Sequence, residues 1–398
     1  MNALRVVVAP SGYKECLLAE EVAASIARGV RRALDIADVI EIPLVDGGEG
    51  FVRTLVRLTG GSTHTATVRG PVGQPVTATW GMLGGADAGT AVIEMASAAG
   101  LALVPKDCRN PLHTTTFGVG QLIAAALDAG AQRILLGCGD SGTNDAGAGM
   151  AQALGVRLLD HAGRDIRAGG IGLLDLDRID RSAIDPRIAN VPIDVACNIR
   201  NLLCGPRGVA RVYGPQKGAS RKVMALLERG LDRFAAAIEA QFGIDCREMP
   251  GGGASGGLGA GLHAFLGARL IPRFDIVSRY VNLDTHLRDA DLVITAEGGI
   301  DRQSVCGKIL SEVGGRARRL GVPVIALAGT VGENAEVVHD YGIGAYFSTV
   351  SAPCPLSTAM ANAPEQIERC AENVMRTVLM SMQIAAAQAH ARGIRAAA

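Results

Sequence analysis

Aromatic side chains are scarce in this chain, 3% of 398 residues with a single tryptophan, and few platforms remain on which nucleic-acid bases could stack. Charge of one sign is missing too. The 39 basic and 39 acidic residues cancel, so nothing in the balance points to a nucleic acid or an anionic membrane as partner. No uncharged apolar run approaches the ~20 residues that cross a bilayer. The start, Leu4-Arg-Val-Val-Val-Ala9, lacks the charged region, apolar core and cleavage site of a signal peptide, and a cytoplasmic location is the expectation. The nine cysteines are odd in number and form no C-x-x-C pair. Neither a disulfide framework nor a zinc cluster is expected, and the thiols read as free and buried.

Lysine is the most informative scarcity. Only Lys14, Lys106, Lys217, Lys222 and Lys308 stand against a large excess of arginine. An ammonium is a compact point charge that a guanidinium fork does not replace. Lys14, Lys217 and Lys308 all fall in segments rich in glycine. Five Gly-rich loops carry a charged residue beside their glycines: Asp46-Gly-Gly-Glu-Gly50, Gly139 to Gly149, Gly205-Pro-Arg-Gly208, Gly214-Pro-Gln-Lys-Gly218 and Glu297 to Lys308. Glycine lets backbone N–H groups approach an anion, and carboxylates hold a hard cation such as Mg²⁺.

At this length two domains are expected. A βα rhythm at the start (strand 5–9, helix 19–34, strand 38–44) returns after residue 283, with strands at 291–295, 322–328 and 345–348 and a terminal helix over 363–387. Between them lie alternating β-like runs from 65 to 95, a helix at 118–129, a buried strand at 191–196 and an amphipathic helix over 222–241. The simplest organisation is an α/β domain built from residues 1–62 and 283–398, interrupted by an inserted α/β domain over 63–282.

Each loop has a bland reading beside the chemical one. Asp46 and Glu49 can bind Mg²⁺ or take a proton from a hydroxyl, or they can form a capping box. Ser141, Thr143 and Asn144 can face phosphate while Asp145 approaches a metal, or the segment is an ordinary glycine turn. Lys217 is held beside a proline, which favours a positioned charge. Glu297, Asp301, Gln303 and Lys308 surround the expected start of a helix after a buried strand. The P-loop pattern, the protein-kinase motif set and H-E-x-x-H are absent, and the glycines of Gly257-Leu-Gly-Ala-Gly261 lack dinucleotide-fingerprint spacing.

Taken in order, Ala9-Pro-x-x-Tyr-Lys14, Asp46-Gly-Gly-Glu-Gly50, Thr143-Asn-Asp145, Gly205-Pro-Arg-Gly208, Gly214-Pro-Gln-Lys-Gly-Ala219 and Glu297-Gly-x-x-Asp301-x-Gln303 resemble the glycerate 2-kinase family of the bacterial glycerate kinase type, over essentially the whole chain. The resemblance implies phosphorylation of D-glycerate by ATP with Mg²⁺, typically at the 2-position. It implies a flavodoxin-like parallel-sheet domain interrupted by a restriction-endonuclease-like one. Asp46, Glu49, Asp145 and Lys217 are then the catalytic candidates, with Asp46 and Asp145 toward the metal. Lys14, Ser141, Thr143, Asn144, Glu297, Asp301, Gln303 and Lys308 become nucleotide contacts; Asn201 and Arg207 are candidate substrate contacts, as is Arg200, which the resemblance does not supply but which can hold a carboxylate or other anion. The partner is a small molecule, with no nucleic acid or membrane and with a homodimer left open.

The motifs also depart from the family pattern. Ser11 and Gly12 replace an acid and a hydroxyl, Asn198 stands where an Asp is usual, Arg200 and Leu202 intrude after it, and Gly299 replaces an arginine. Two expectations follow beside the leading one: a kinase with a changed acceptor, or a homologue that binds nucleotide without turning over.

Overall fold

The computed structural model describes residues 4–13, 16–45, 47–301 and 309–396. In chain order the strands are β1 (Arg5–Val8), β2 (Asp38–Glu41), β3 (Ser62–Arg69), β4 (Pro75–Met82), β5 (Thr90–Glu94), β6 (Arg133–Gly137), β7 (Arg157–Leu159), β8 (Arg178–Asp180), β9 (Ile193–Cys197), β10 (Arg269–Pro272), β11 (Leu292–Ile300), β12 (Val324–Val331) and β13 (Ala345–Ser348). The chain divides into two compact units, one of residues 1–45 and 281–398 and one of residues 46–280.

The first unit holds a five-stranded sheet ordered β13-β12-β11-β1-β2, parallel throughout. Val6, Val7 and Val8 are fully buried, as a continuous apolar run must be in a parallel sheet covered on both faces. Counted within the unit, the strands run 2-1-3-4-5, which puts a topological switch point between β1 and β11, whose carboxyl ends lie side by side. Helix Ala19–Ala33 packs on the terminal helix Ala363–Ala396. Gly29 permits this approach, since a Cβ there would stand 2.2 Å from the Glu368 carbonyl oxygen. Arg28 and Arg32 close on the buried Glu368 carboxylate at 2.7 and 2.8 Å.

The second unit is built on a mixed sheet ordered β10-β9-β6-β5-β4-β3, in which β5, β6, β9 and β10 are parallel and β3 and β4 form an antiparallel hairpin. Trp80 on β4 stacks on its cross-strand partner His64 at 4.7 Å. Helix Phe51–Thr59 packs on β4 and β5. The boundaries expected at 62/63 and 282/283 therefore fall at 45/46 and 280/281.

One local expectation changes. β11 does not end at Thr295 but runs to Ile300, because β12 continues beside it and pairs Glu297 with Ala328 and Gly299 with Thr330. Residues 297–300 of that motif are thus strand rather than loop. The helix reaching Leu266 begins at Ala254, but Ser255, Gly256 and Gly257 are left-handed at its start, with φ of 51°, 74° and 91°.

Candidate active site

The second unit gathers loops at the carboxyl ends of β5, β6 and β9, the end of parallel strands where open α/β sheets bind ligands. The Gly139–Gly149 loop follows β6. Asp145 is its hub, fully buried, with oxygens accepting from Thr116 N–H at 2.8 Å, Thr116 Oγ1 at 3.0 Å, Gly147 N–H at 3.2 Å and Gly149 N–H at 3.3 Å. Burial raises its carboxyl above the usual carboxylate range, and these same bonds act against that rise. Thr116 is the N-cap of helix Phe117–Asp128, so Asp145 ties that helix start to the turn through Gly147.

Lys217 ends the short turn Pro215–Lys217 and is 3% exposed. Its Nζ donates to Ser141 Oγ at 2.8 Å and to the Thr143 carbonyl at 2.6 Å. Burial lowers its ammonium to about 7, with the Asp145 charge acting in the opposite direction. Beside it, Thr143 Oγ1 and both polar atoms of the Asn144 amide are buried without a hydrogen-bond partner among the described residues. Thr143 and Asn144 are 0% and 1% exposed, and leaving such groups unpaired costs about 1–3 kcal/mol each.

The loop after residue 46 is held by its backbone. A Cβ at Gly139 would stand 2.6 Å from Gly48 N and Cα, so glycine is needed where the two loops touch. Glu49 N–H donates to Asp140 Oδ2 at 3.2 Å, and the Glu49 side chain is exposed. Gly50, left-handed at φ 88°, is the N-cap of helix Phe51–Thr59. Glu94, at the end of β5, serves that helix start: it accepts the Val52 N–H at 3.1 Å. Burial pushes the Glu94 carboxyl up to about 7, and the Glu49 charge adds to the rise.

In the first unit, the switch point brings Ser11 to Ala296, with Ser11 N–H and Oγ both donating to the Ala296 carbonyl at 2.9 and 3.0 Å. Thr295 Oγ1 donates to the Ala9 carbonyl at 2.8 Å, half-buried Glu297 follows along β11, and half-buried Asp301 stands just past its end. Lys14, Asp46, Gln303 and Lys308 lie outside the described residues.

The remaining candidates are less convergent. Arg200 and Arg207 are exposed, while Asn201 Oδ1 accepts the Tyr213 hydroxyl at 3.0 Å. Departures from the family pattern have local causes: Asn198 Oδ1 accepts the Arg200 N–H at 3.0 Å in a tight turn, a Cβ at Gly12 would stand 2.9 Å from the Leu17 carbonyl, and one at Gly299 would stand 2.9 Å from Thr330 Oγ1. Of the cysteines, Cys138, Cys197 and Cys246 are buried, but Cys108 and Cys354 are exposed, so burial of the thiols holds only in part. Among the described residues no three His, Cys, Asp or Glu side chains converge as a metal site. Asp145 does not fit as a Mg²⁺ ligand, because its oxygens are occupied by N–H and O–H donors and it has no exposed surface.

Sequence reasoning missed Glu94, Thr116 and Arg109. An acid closing the otherwise apolar strand Thr90–Glu94 at its ligand-binding end was a readable signal; nothing in the pattern marked the other two.

Fold and site define an α/β protein whose Gly-rich strand ends are organised around a buried lysine. The chain belongs to the glycerate kinase family, whose model matches residues 6–379. It is 48% identical over 369 residues to a glycerate kinase of Halalkalibacterium halodurans, covering 93% of this chain and 97% of that protein. It is 44% identical to a glycerate 2-kinase of Escherichia coli K12, covering 96% and 99%. A crystal structure of a chain described as glycerate kinase 2 from Salmonella typhimurium LT2 superposes with a TM-score of 0.78 at 44% identity, covering 96% of this chain and 100% of that one.

Proposed function

We propose that this protein transfers the γ-phosphoryl group of ATP to a hydroxyl of D-glycerate, at the 2-position. The observation that carries this reading is the likeness to curated glycerate kinases along 93–96% of the chain, with the buried lysine loop inside it. Neither a non-catalytic homologue nor a changed acceptor is favoured, since the departures at Ser11, Gly12, Asn198, Arg200 and Gly299 occur within that unbroken likeness.

The acceptor oxygen attacks the γ-phosphorus, the bond to the β-phosphate oxygen breaks, and the hydroxyl proton passes to a carboxylate of the Asp46/Glu49 loop. Such transfer asks the protein for positioning and charge neutralisation more than covalent chemistry. Lys217 supplies positive charge to a bound anion, and anion binding would restore its proton. Asp145 acts as scaffold, and magnesium, bound with the nucleotide, would neutralise phosphate charge. The switch-point end of β1 and β11, with Ser11, Glu297 and Asp301 and together with Lys14, Gln303 and Lys308, is the proposed nucleotide seat. That unit reads as flavodoxin-like, and residues 46–280 as the restriction-endonuclease-like insert.

The test is ADP release with ATP, Mg²⁺ and a panel of D-glycerate, L-glycerate and other hydroxy acids, with ³¹P NMR fixing the phosphorylated carbon. Turnover on D-glycerate to the 2-phosphate is expected. ADP release dependent on some other acid alone would overturn the acceptor assignment.

A further inference from the structure

Arg109 stands apart from the other arginines of its unit. Arg133, Arg157, Arg187 and Arg247 sit in ion pairs, whereas among the described residues no ion pair or hydrogen bond involves the Arg109 side chain, and its Nε is buried. Other arginines without an ion pair, such as Arg207, are exposed, so water serves them; Arg109 is half-buried. A guanidinium held this way lacks the anion that its planar fork fits.

Its place in the fold says what that anion is. Gly218, the residue after Lys217, packs directly on Arg109: a Cβ there would stand 2.2 Å from the Arg109 carbonyl oxygen and 3.0 Å from its Cβ. A Cβ on Gly170 would stand 2.6 Å from the Asn144 carbonyl and 3.2 Å from the Pro111 carbonyl, so the segment after Arg109 and the Asn144 turn meet at one spot. The segments carrying Arg109, Asn144 and Lys217 therefore converge. Arg109 and Lys217 both belong to these segments, and the Asp145 carboxylate next to Asn144 is already taken up by its own donors.

The unpaired atoms distinguish between two oxyanions. Arg109 Nε and the Asn144 Nδ2 can only donate, but Asn144 Oδ1 can only accept, and Thr143 Oγ1 does either. A nucleotide phosphate offers acceptors alone and would leave Oδ1 unbonded. A carboxylate beside a hydroxyl offers both kinds of group. Resting on the kinase reading above, we propose that Arg109, with Thr143, Asn144 and Lys217, forms the subsite that takes the carboxylate and neighbouring hydroxyl of the acceptor acid.

Calorimetric titration of D-glycerate and of ATP into wild type, Arg109→Ala and Arg109→Lys tests this without requiring turnover. D-Glycerate affinity should fall roughly ten- to hundredfold in Arg109→Ala, and substantially in Arg109→Lys, which keeps the charge but loses the fork; ATP affinity should stay within about twofold. Steady-state kinetics should show the same split, with KM for glycerate raised and KM for ATP unchanged. Wild type should reject the neutral amide glyceramide, and Arg109→Ala should narrow that preference toward unity. Weakened ATP binding with glycerate binding intact would overturn the assignment, as would unchanged affinity for both. If Arg109→Ala melts too early to titrate, Arg109→Lys and the wild-type preference for glycerate over glyceramide decide the matter. Glycerate binding that depends on Arg109 without phosphoryl transfer would leave the subsite standing and sink the kinase reading. Turnover with arginine-independent glycerate binding would do the reverse.

Discussion

Glu94 accepts the Val52 N–H at 3.1 Å, so an acid at the end of β5 holds the first turn of the helix behind the Gly47–Gly50 loop. The loop bearing Glu49 is fixed from outside itself, by Glu94 on one side and by Asp140 on the other.

Glu94→Gln keeps the shape and one acceptor oxygen while removing the charge. The native carboxyl titrates at about 7 against an ordinary value of 4.5, so between those values the folded state holds a proton that the unfolded chain has released. Its contribution to stability is complete below about pH 4.5 and is lost as pH rises through 7, on the order of 3 kcal/mol. Thermal melts should therefore show Glu94→Gln more stable than wild type at pH 8 and nearly level with it at pH 5. Parallel wild-type and variant curves over that range would refute the assignment.

Lys217 has the opposite sign. Its ammonium is lowered to about 7, so between that pH and its ordinary 10.5 the unfolded chain binds more protons and stability rises with pH. Lys217→Met should flatten this rise in melts from pH 7 to 9. It should also lower kcat about 10²–10³-fold, as loss of a positioned charge at a phosphoryl-transfer site does. Retained turnover would remove Lys217 from the site.

Thr116→Val strips Asp145 of its hydroxyl donor in a fully buried setting. Chemical denaturation should report a loss of about 1–3 kcal/mol. If Asp145 is scaffold, Asp145→Asn should lower the melting temperature while leaving the Mg²⁺ concentration for half-maximal activity in place. A shift in that concentration with normal stability would restore Asp145 as a metal ligand.

Gly29→Val places a side chain where there is no room for one, since its Cβ would come within 2.2 Å of the Glu368 carbonyl oxygen. Separation of the two helices should destabilise the first unit by about 1–3 kcal/mol or more, read as a lower denaturant midpoint. An unchanged midpoint would mean that the helices give way easily.

What could be read from the sequence was local. The run Val6–Val8 announces a buried parallel strand, and the 3.6-residue stripe over 222–241 matches helix Arg221–Phe242; the proline beside Lys217 pointed to a positioned charge, while its burial could not be read from the sequence. What stayed hidden depends on contacts between distant residues. Glu94 matters because residues 50–52 fold back onto the end of β5, and β11 outruns its apolar core because β12 supplies it with partners. Arg109 is set apart by the partners it does not have among the described residues, a property that sequence cannot display.

The order of the parallel sheet has a consequence during synthesis. β1 leaves the ribosome early, yet one of its two neighbours, β11, is encoded roughly 280 residues later, on the order of 15–60 s at 5–20 residues per second. Throughout that interval the nascent chain carries an apolar strand, Val6–Val8, with an open edge, while residues 46–280 already contain every strand of their own sheet. The inserted segment can reach its fold on the ribosome; the unit that encloses it in sequence must wait until residues 281 onward are made, and a product stalled before them would expose that edge to chaperones, proteases and other nascent chains.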